Sequence, residues 1–258
     1  MSQAARPLLW HIKVSHFSEK VRWALAYKGV EHDRRAPPPA SHMLFALWLT
    51  RGEQNTFPVL ELDGDRIGDS TRIIETLESR YPDPPLYPGD PQERARALEL
   101  EDFFDEELGP HVRLLTWHEA IKHPKPFGEF AAQQLPAPLN RASGVAGAFG
   151  TAFVRLRYGA ASDDAAETAR RHILAGLDRL EAELGSGDYL VGERFSVADL
   201  TAAALLYPLV MPPEAPSLPE PPGPLARFRD SVSSRRGFEW TAEMFRRHRR
   251  PTSAAVAA

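Results

Sequence analysis

The sequence predicts two units in one chain, an α/β domain followed by an all-helical one. Residues 56–81, TFPVLELDGDRIGDSTRIIETLESRY, read as strand, tight hairpin, strand, glycine turn and helix. Residues 81–91, YPDPPLYPGDP, hold five prolines and one glycine, so they cannot form a helix interior and read as a linker. Beyond them, apolar residues recur at helical spacing almost to the end. With 258 residues, each unit can bury its own core. The expected boundaries are 1–81 for the first domain, 82–91 for the linker and 92–258 for the second domain.

Composition narrows the function. Lys and Arg number 31 against 35 Asp and Glu, a net charge of −4 that does not advertise nucleic-acid binding. The chain has no cysteine, which excludes disulfides, thiolate metal sites and a cysteine nucleophile. No run of 18 apolar residues suggests a membrane span, and the start, MSQAARPLLWHI, lacks the apolar core of a signal peptide. A cytoplasmic protein is the expectation.

Leu8 to Val14 suits a first strand and ends at Ser15-His16-Phe17-Ser18. Phe17, Val21, Ala24 and Leu25 then recur at helical spacing up to Gly29, a helix stop. Ser15 stands in the strand-to-helix loop, where it can cap the helix, a role Ser18 could equally fill. His16 beside it suggests a Ser-His relay, but adjacent side chains rarely aim at each other and no third partner is in view. A short strand fits within 29–35, and Pro37-Pro38-Pro39 breaks the chain. Met43 to Leu49 is a compact apolar run that reads as a buried helix.

In the hairpin, Val59, Leu60 and Leu62 lead into Asp63-Gly64, and Ile67 returns to Gly68. Pro58 removes a ladder donor, which places it at an edge or a bend. A cis Phe57-Pro58 bond would expose the Phe57 backbone to a ligand. Asp69 and Ser70 begin a helix whose apolar face is Ile73, Ile74, Leu77 and Tyr81. The pair is either a helix cap or an anion site at a helix N-terminus.

After the linker, Phe103, Leu108, Val112 and Leu115 continue a helix kinked at Gly109-Pro110. The acidic run Glu99, Glu101, Asp102, Asp105, Glu106 and Glu107 could pose as a metal site, but a solvated helix face accounts for it better. His118 and His123 are one residue too far apart for a zinc helix, and Gly144, Gly147 and Gly150 miss the phosphate-loop spacings. Residues 122–160 are either an inert surface insertion or a lid over a pocket. A helix from Ala165 to Leu184 stops at Gly185-Ser186-Gly187. Ser196 and Asp199 then have capping-box spacing, with Phe195 and Leu200 as the staple. Pro212 to Pro224 reads as a loop, Leu225, Phe228 and Val232 as a last helix, and Arg246 to Arg250 as a solvated basic tail.

Three stretches carry a resemblance. SHFSEKVRWALAYKG is similar to the first loop and helix of the glutathione S-transferase family. TFPVLELDGDRIGDS resembles the second half of that family's thioredoxin-like domain, and LVGERFSVADL its core helix in the all-helical second domain. The resemblance covers roughly Leu8 to Phe245 and implies a thioredoxin-like domain followed by a helical bundle. It implies a bacterial-like, serine-type transferase, with detoxification as the family's usual task. Ser15 is then the catalytic hydroxyl, donating to the glutathione sulfur. Phe57 and Pro58 present backbone to the cysteinyl part, and Asp69 and Ser70 hold the γ-glutamyl end. His16 stands where the family often has Pro. Gly52 to Thr56 replaces the family's Asn-Pro-x-Gly-Lys run, removing a lysine contact to the glycine carboxylate, for which His42 or Arg51 could substitute. Phe17, Ser18 and His16 are secondary candidates in the loop.

The implied function is attack of the glutathione thiolate on a small hydrophobic electrophile by a homodimer, with glutathione as cosubstrate, no metal, no nucleic acid and no membrane. A non-catalytic binding module of the same fold, or an enzyme using another low-molecular-weight thiol, are the alternatives.

Overall fold

The computed structural model describes residues 6–37, 42–133, 141 and 143–250. Pro38 and Pro39, named above as part of a break, lie outside them. Four strands form a mixed sheet in the order β2-β1-β3-β4. β1 (Leu8–Trp10) pairs parallel with β2 (Asp33–Arg35) after the crossover helix α1 (His16–Tyr27), and antiparallel with β3 (Val59–Leu62). β3 turns through Asp63 and Gly64, both at positive φ (52° and 92°), into β4 (Asp65–Gly68), the geometry of a type I′ hairpin. β1 is shorter than the sequence suggests. The Ile12 N–H leaves the ladder and donates to Ser18 Oγ at 3.2 Å, so residues 11–15 become the loop before α1.

Side chains alternate across the sheet as the two-residue period requires. Leu9, Leu60 and Leu62 join α1 and α3 (Ser70–Arg80) in the main core. Trp10, Phe57 and Val59 face α2 (His42–Leu49) on the other side. The apolar run of α2 is a helix, but not a buried one. Ala46 and Leu49 face the sheet, while Leu44 and Trp48 are 73% and 63% exposed. A helix apolar on all sides can bury only the side that meets a partner.

The proline-rich stretch is pinned rather than loose. Leu86 and Tyr87 are buried, and the Lys28 ammonium donates to the carbonyls of Tyr81 and Pro84. Asp90 caps α4 (Pro91–Phe103). A π-helical turn, Phe104–Leu108, leads into α5 (Gly109–Ile121), with Pro110 in its first turn. The expected kink is thus this wide turn, just ahead of Gly109. α6 (Pro124–Gln133), α7 (Ser143–Tyr158), α8 (Asp163–Leu184), α9 (Val197–Val210), α10 (Gly223–Val232) and α11 (Arg236–His248) complete the helical unit.

Every residue of α9 is buried, and its start is fixed by Asp199. That carboxylate accepts from the backbone N–H groups of Leu190 and Ser196, both at 2.8 Å, and from the Ser196 hydroxyl at 2.7 Å. Asp199 therefore ties the preceding loop to α9 as well as capping the helix. α11 packs back against α1, where Trp23 meets Phe245 at 4.3 Å with tilted rings and stacks on Phe195, just ahead of α9, at 5.6 Å. Arg249 reaches the fully buried Glu19 at 2.6 Å, and Arg246 and Arg247 pair with Glu243. The basic tail is engaged, not simply solvated. No helix among the described residues is long and apolar enough to cross a membrane.

Candidate functional site

A cavity of about 470 Å³ opens between the sheet unit and the helical unit. Its first wall is built from local backbone geometry. Ser15 caps α1, its Oγ accepting the Ser18 N–H at 3.2 Å. That contact uses a lone pair and leaves the hydroxyl proton for a ligand, beside a helix N-terminus whose dipole favours negative charge. Ser18 is fully buried, does not line the cavity, and accepts from Ile12 instead. It braces the loop, and Ser15, not Ser18, is the helix cap.

The Phe57-Pro58 bond is cis, and both residues line the cavity with Asp69 and Ser70. Asp69 holds φ at 72°, a strained conformation for a residue with a side chain. There it caps α3, and its Oδ1 accepts from the N–H groups of Thr71 and Arg72 at 3.0 and 3.2 Å. The second oxygen, Oδ2, stays available to a cation. Ser70 is 3% exposed and its hydroxyl makes no hydrogen bond within the described chain, so it too is available.

The remaining candidates divide. His42 lines the cavity, its ring edge-on to Phe153 at 4.8 Å. Burial and then Arg157 lower its pKa, keeping it neutral. Arg51 is exposed at φ 55° and does not reach the cavity. His16 turns away from Ser15 and sits with Nε2 3.1 Å from the Gly109 carbonyl. Burial, then Arg113, push its pKa down to about 3, so it is a neutral anchor between the two units and no relay partner. Phe17 lines the cavity and meets α5 where a side chain on Gly109 would strike its ring at 2.9 Å.

The second wall is helical and was mostly invisible in sequence. Trp117, Phe127, Phe130 and Tyr158 line it with Arg113 and Arg157, so α6 and α7 close over the cavity as a wall. The glycines of this region serve that packing. A Cβ on Gly147 would lie 2.8 Å from the Gly128 Cα, and one on Gly150 would lie 3.2 Å from the Phe127 ring. His118 is buried against the Ala160 carbonyl at 2.8 Å, whereas His123 lines the cavity, so the two do not converge.

The acidic run is not simply a solvated face. Lys20, fully buried on α1, bonds Glu101 at 3.0 Å, Asp105 at 2.7 Å and the Thr71 hydroxyl at 3.1 Å. Asp105 also lines the cavity. The two carboxylates outweigh burial and keep Lys20 charged, while burial lifts Glu101. The network ties the start of α3 to the helical unit directly behind Asp69 and Ser70. Away from the cavity, Glu107, His111 and His172 stand close enough to share an ion. The two imidazoles stack at 3.9 Å with planes 21° apart, so their in-plane lone pairs run side by side rather than toward one centre.

A thioredoxin-like sheet with a cis proline, a serine at the first helix and an all-helical partner defines a class of thiol-handling protein. Comparison gives the family. Residues 9–85 match the glutathione S-transferase N-terminal domain and residues 163–231 its C-terminal domain. The chain belongs to the glutathione S-transferase family, as a glutathione-dependent enzyme with glutathione as its cosubstrate. It is 26% identical over 204 residues to a probable maleylacetoacetate isomerase of Caenorhabditis elegans, covering 78% of each chain. It is 26% identical over 194 residues to Protein LigF of Sphingobium sp., covering 72% of each. The β-etherase LigF structure from Sphingobium sp. strain SYK-6 superposes with a TM-score of 0.60 at 23% identity, over 93% of this chain and 99% of that one. A glutathione S-transferase from Methylobacillus flagellatus with glutathione bound gives 0.53 at 21% identity, over 92% and 98%. The first wall fits that cosubstrate, since Ser15, Asp69 Oδ2 and Ser70 each keep a polar atom unspent.

Proposed function

We propose that Ser15 holds the glutathione thiol as thiolate for addition to an electron-poor carbon of a small electrophile. The observation that carries this reading is the Ser15 hydroxyl, which accepts from the Ser18 N–H and so keeps its own proton to donate. An ordinary thiol has a pKa of about 8.5, and each unit of lowering corresponds to about 1.4 kcal/mol. A donor at a helix N-terminus favours the charged form. Asp69 Oδ2 takes the ligand's ammonium, Ser70 its α-carboxylate and the Phe57 backbone the cysteinyl amide. His42, as a neutral donor, is the group nearest in role to the missing lysine. The electrophile lies against Phe17, Trp117, Phe127 and Tyr158.

With the thiolate added, either the conjugate leaves or elimination returns glutathione and an isomerised product. The relatives named as isomerases support keeping both outcomes. Without a cysteine, the chain cannot form a mixed disulfide with glutathione. A cytoplasmic homodimer with a detoxifying role, the 82–91 linker and the 92–258 electrophile domain are part of this reading. Retention on immobilised glutathione, a thermal shift with free glutathione and turnover of a reactive aryl halide test it. Binding without turnover leaves the non-catalytic module, and no binding points to another thiol. Light scattering tests the dimer.

A further inference from the structure

The helical wall of the cavity carries two guanidinium groups that have no counter-ion among the described residues. Arg113, on α5, stands over the rings of Phe17 and Tyr158 at 5.4 and 4.7 Å. Arg157, on α7, stands over Tyr158 at 5.4 Å. Neither forms an ion pair or hydrogen bond among the described residues, and the Arg113 Nε is buried without any acceptor. Other part-buried arginines of the chain behave differently: Arg22 pairs with Glu19, Arg170 with Glu119 and Arg235 with Glu181, each at 2.6 Å. The acids around the cavity are already committed or remote. Asp105 belongs to Lys20, Asp69 Oδ1 caps α3, and Glu220 is exposed at the rim.

Arg113 is half-buried with its Nε shut off from solvent, and such a cation without a partner is costly, with aromatic faces offsetting only part of that cost. Burial, with Arg157 beside it, lowers the pKa of Arg113 and outweighs the opposing pull of Tyr158 and Asp105. The guanidinium is planar, stays charged and presents a fork of donors that matches a carboxylate. The rings hold it in place before any ligand arrives.

We propose that Arg113, assisted by Arg157, binds a carboxylate on the second substrate, so that the electrophile is an organic acid rather than a neutral hydrophobic compound. This rests on the transferase reading and names the substrate class of the same site. It also assigns the opposite walls different anions. The sheet wall takes the ends of glutathione, and the helical wall takes the acid group of the electrophile, with its reactive carbon between them.

The test uses calorimetry on the full chain with glutathione, S-benzylglutathione and its para- and meta-carboxybenzyl analogues. In the parent protein, at least one carboxylated conjugate binds on the order of ten- to a hundredfold more tightly than S-benzylglutathione. Arg113→Met erases that ratio, Arg113→Lys restores part of it, and Arg157→Met reduces it less. Affinity for glutathione itself stays within about threefold throughout. Should Arg113→Met fail to fold, Arg113→Gln and Arg157→Met carry the same comparison. Equal binding of all conjugates by the parent, or a ratio that survives loss of Arg113, overturns the inference while leaving the transferase reading intact. So does a raised thiol pKa of bound glutathione in Arg113→Met with the ratio unchanged, since Arg113 would then serve the sulfur. A parent protein that binds no glutathione brings down the transferase reading, and this inference with it.

Discussion

The two walls of the cavity are made in different ways. On the sheet side, each polar group is set by a short piece of chain: a cap at Ser15, a strained cap at Asp69 and a cis bond at Pro58. On the helical side, Arg113, Trp117, Phe127 and Tyr158 come from helices brought together by long-range packing. A wall defined by backbone turns and helix ends can hold an invariant ligand through main-chain geometry. One defined by side chains on packed helices can change its substrate without disturbing the other. On the proposed reading the contrast separates thiol handling from substrate choice, and it can be broken at either wall.

The largest expected effect is on the sheet side. Ser15→Ala should cut turnover on an aryl halide by two to three decades, about 2.7–4 kcal/mol for one lost donor to negative charge. Affinity for the neutral thiol form should hardly change. Ser18→Ala should act on stability instead, because Ser18 is buried and braces Ile12.

Next comes Asp199→Ala, outside both walls. It strands three buried donors and should destabilise the fold by about 2–4 kcal/mol in chemical denaturation, with turnover per folded molecule unaltered. Ser70→Ala should weaken glutathione binding by about 1.5–3 kcal/mol if, as proposed, its hydroxyl donates to the ligand's α-carboxylate. Unchanged affinity would reduce Ser70 to a helix position.

On the helical side, Gly147→Ala forces a methyl against the Gly128 backbone and should cost about 1–3 kcal/mol of local packing. The expected readout is a raised KM for the electrophile with glutathione affinity preserved. Loss of both together would show that the walls are not independent.

The last expected effect is a slope, small at any one pH. His16 is neutral in the folded chain, with a pKa of about 3, and takes a proton below 6.5 when unfolded. The unfolded state then binds more protons, so this contribution is full above pH 6.5 and is lost as pH falls toward 3. Asp199 works in the opposite sense: burial raises its pKa to about 6, so its contribution is largest in acid and declines as pH rises to 6. His16→Gln should flatten stability against pH between 4 and 6 by about 1.4 kcal/mol per pH unit.

The same contrast explains what the sequence revealed. Asp63-Gly64, Asp69 and Ser196 to Asp199 announce turns and caps because a few adjacent residues determine them. Arg113 carries no such mark, since its lack of a partner depends on where every acid in the fold ends up. Lys20 and Glu101 lie 81 positions apart, so an acidic helix looked solvated until α1 was laid against it. Gly128, Gly147 and Gly150 could have hinted at close helix packing, but their spacing alone does not say which helices meet. The apolar run of α2 misled for a related reason: composition shows how much could be buried, not how much surface is there to bury it.

The most direct test of the account is the thiolate absorbance of bound glutathione against pH, in the parent and in Ser15→Ala. The account predicts ionisation in the parent well below the ordinary thiol value of about 8.5, and a return toward that value in the variant. A parent with no thiolate signal, or a variant that titrates like the parent, would contradict it.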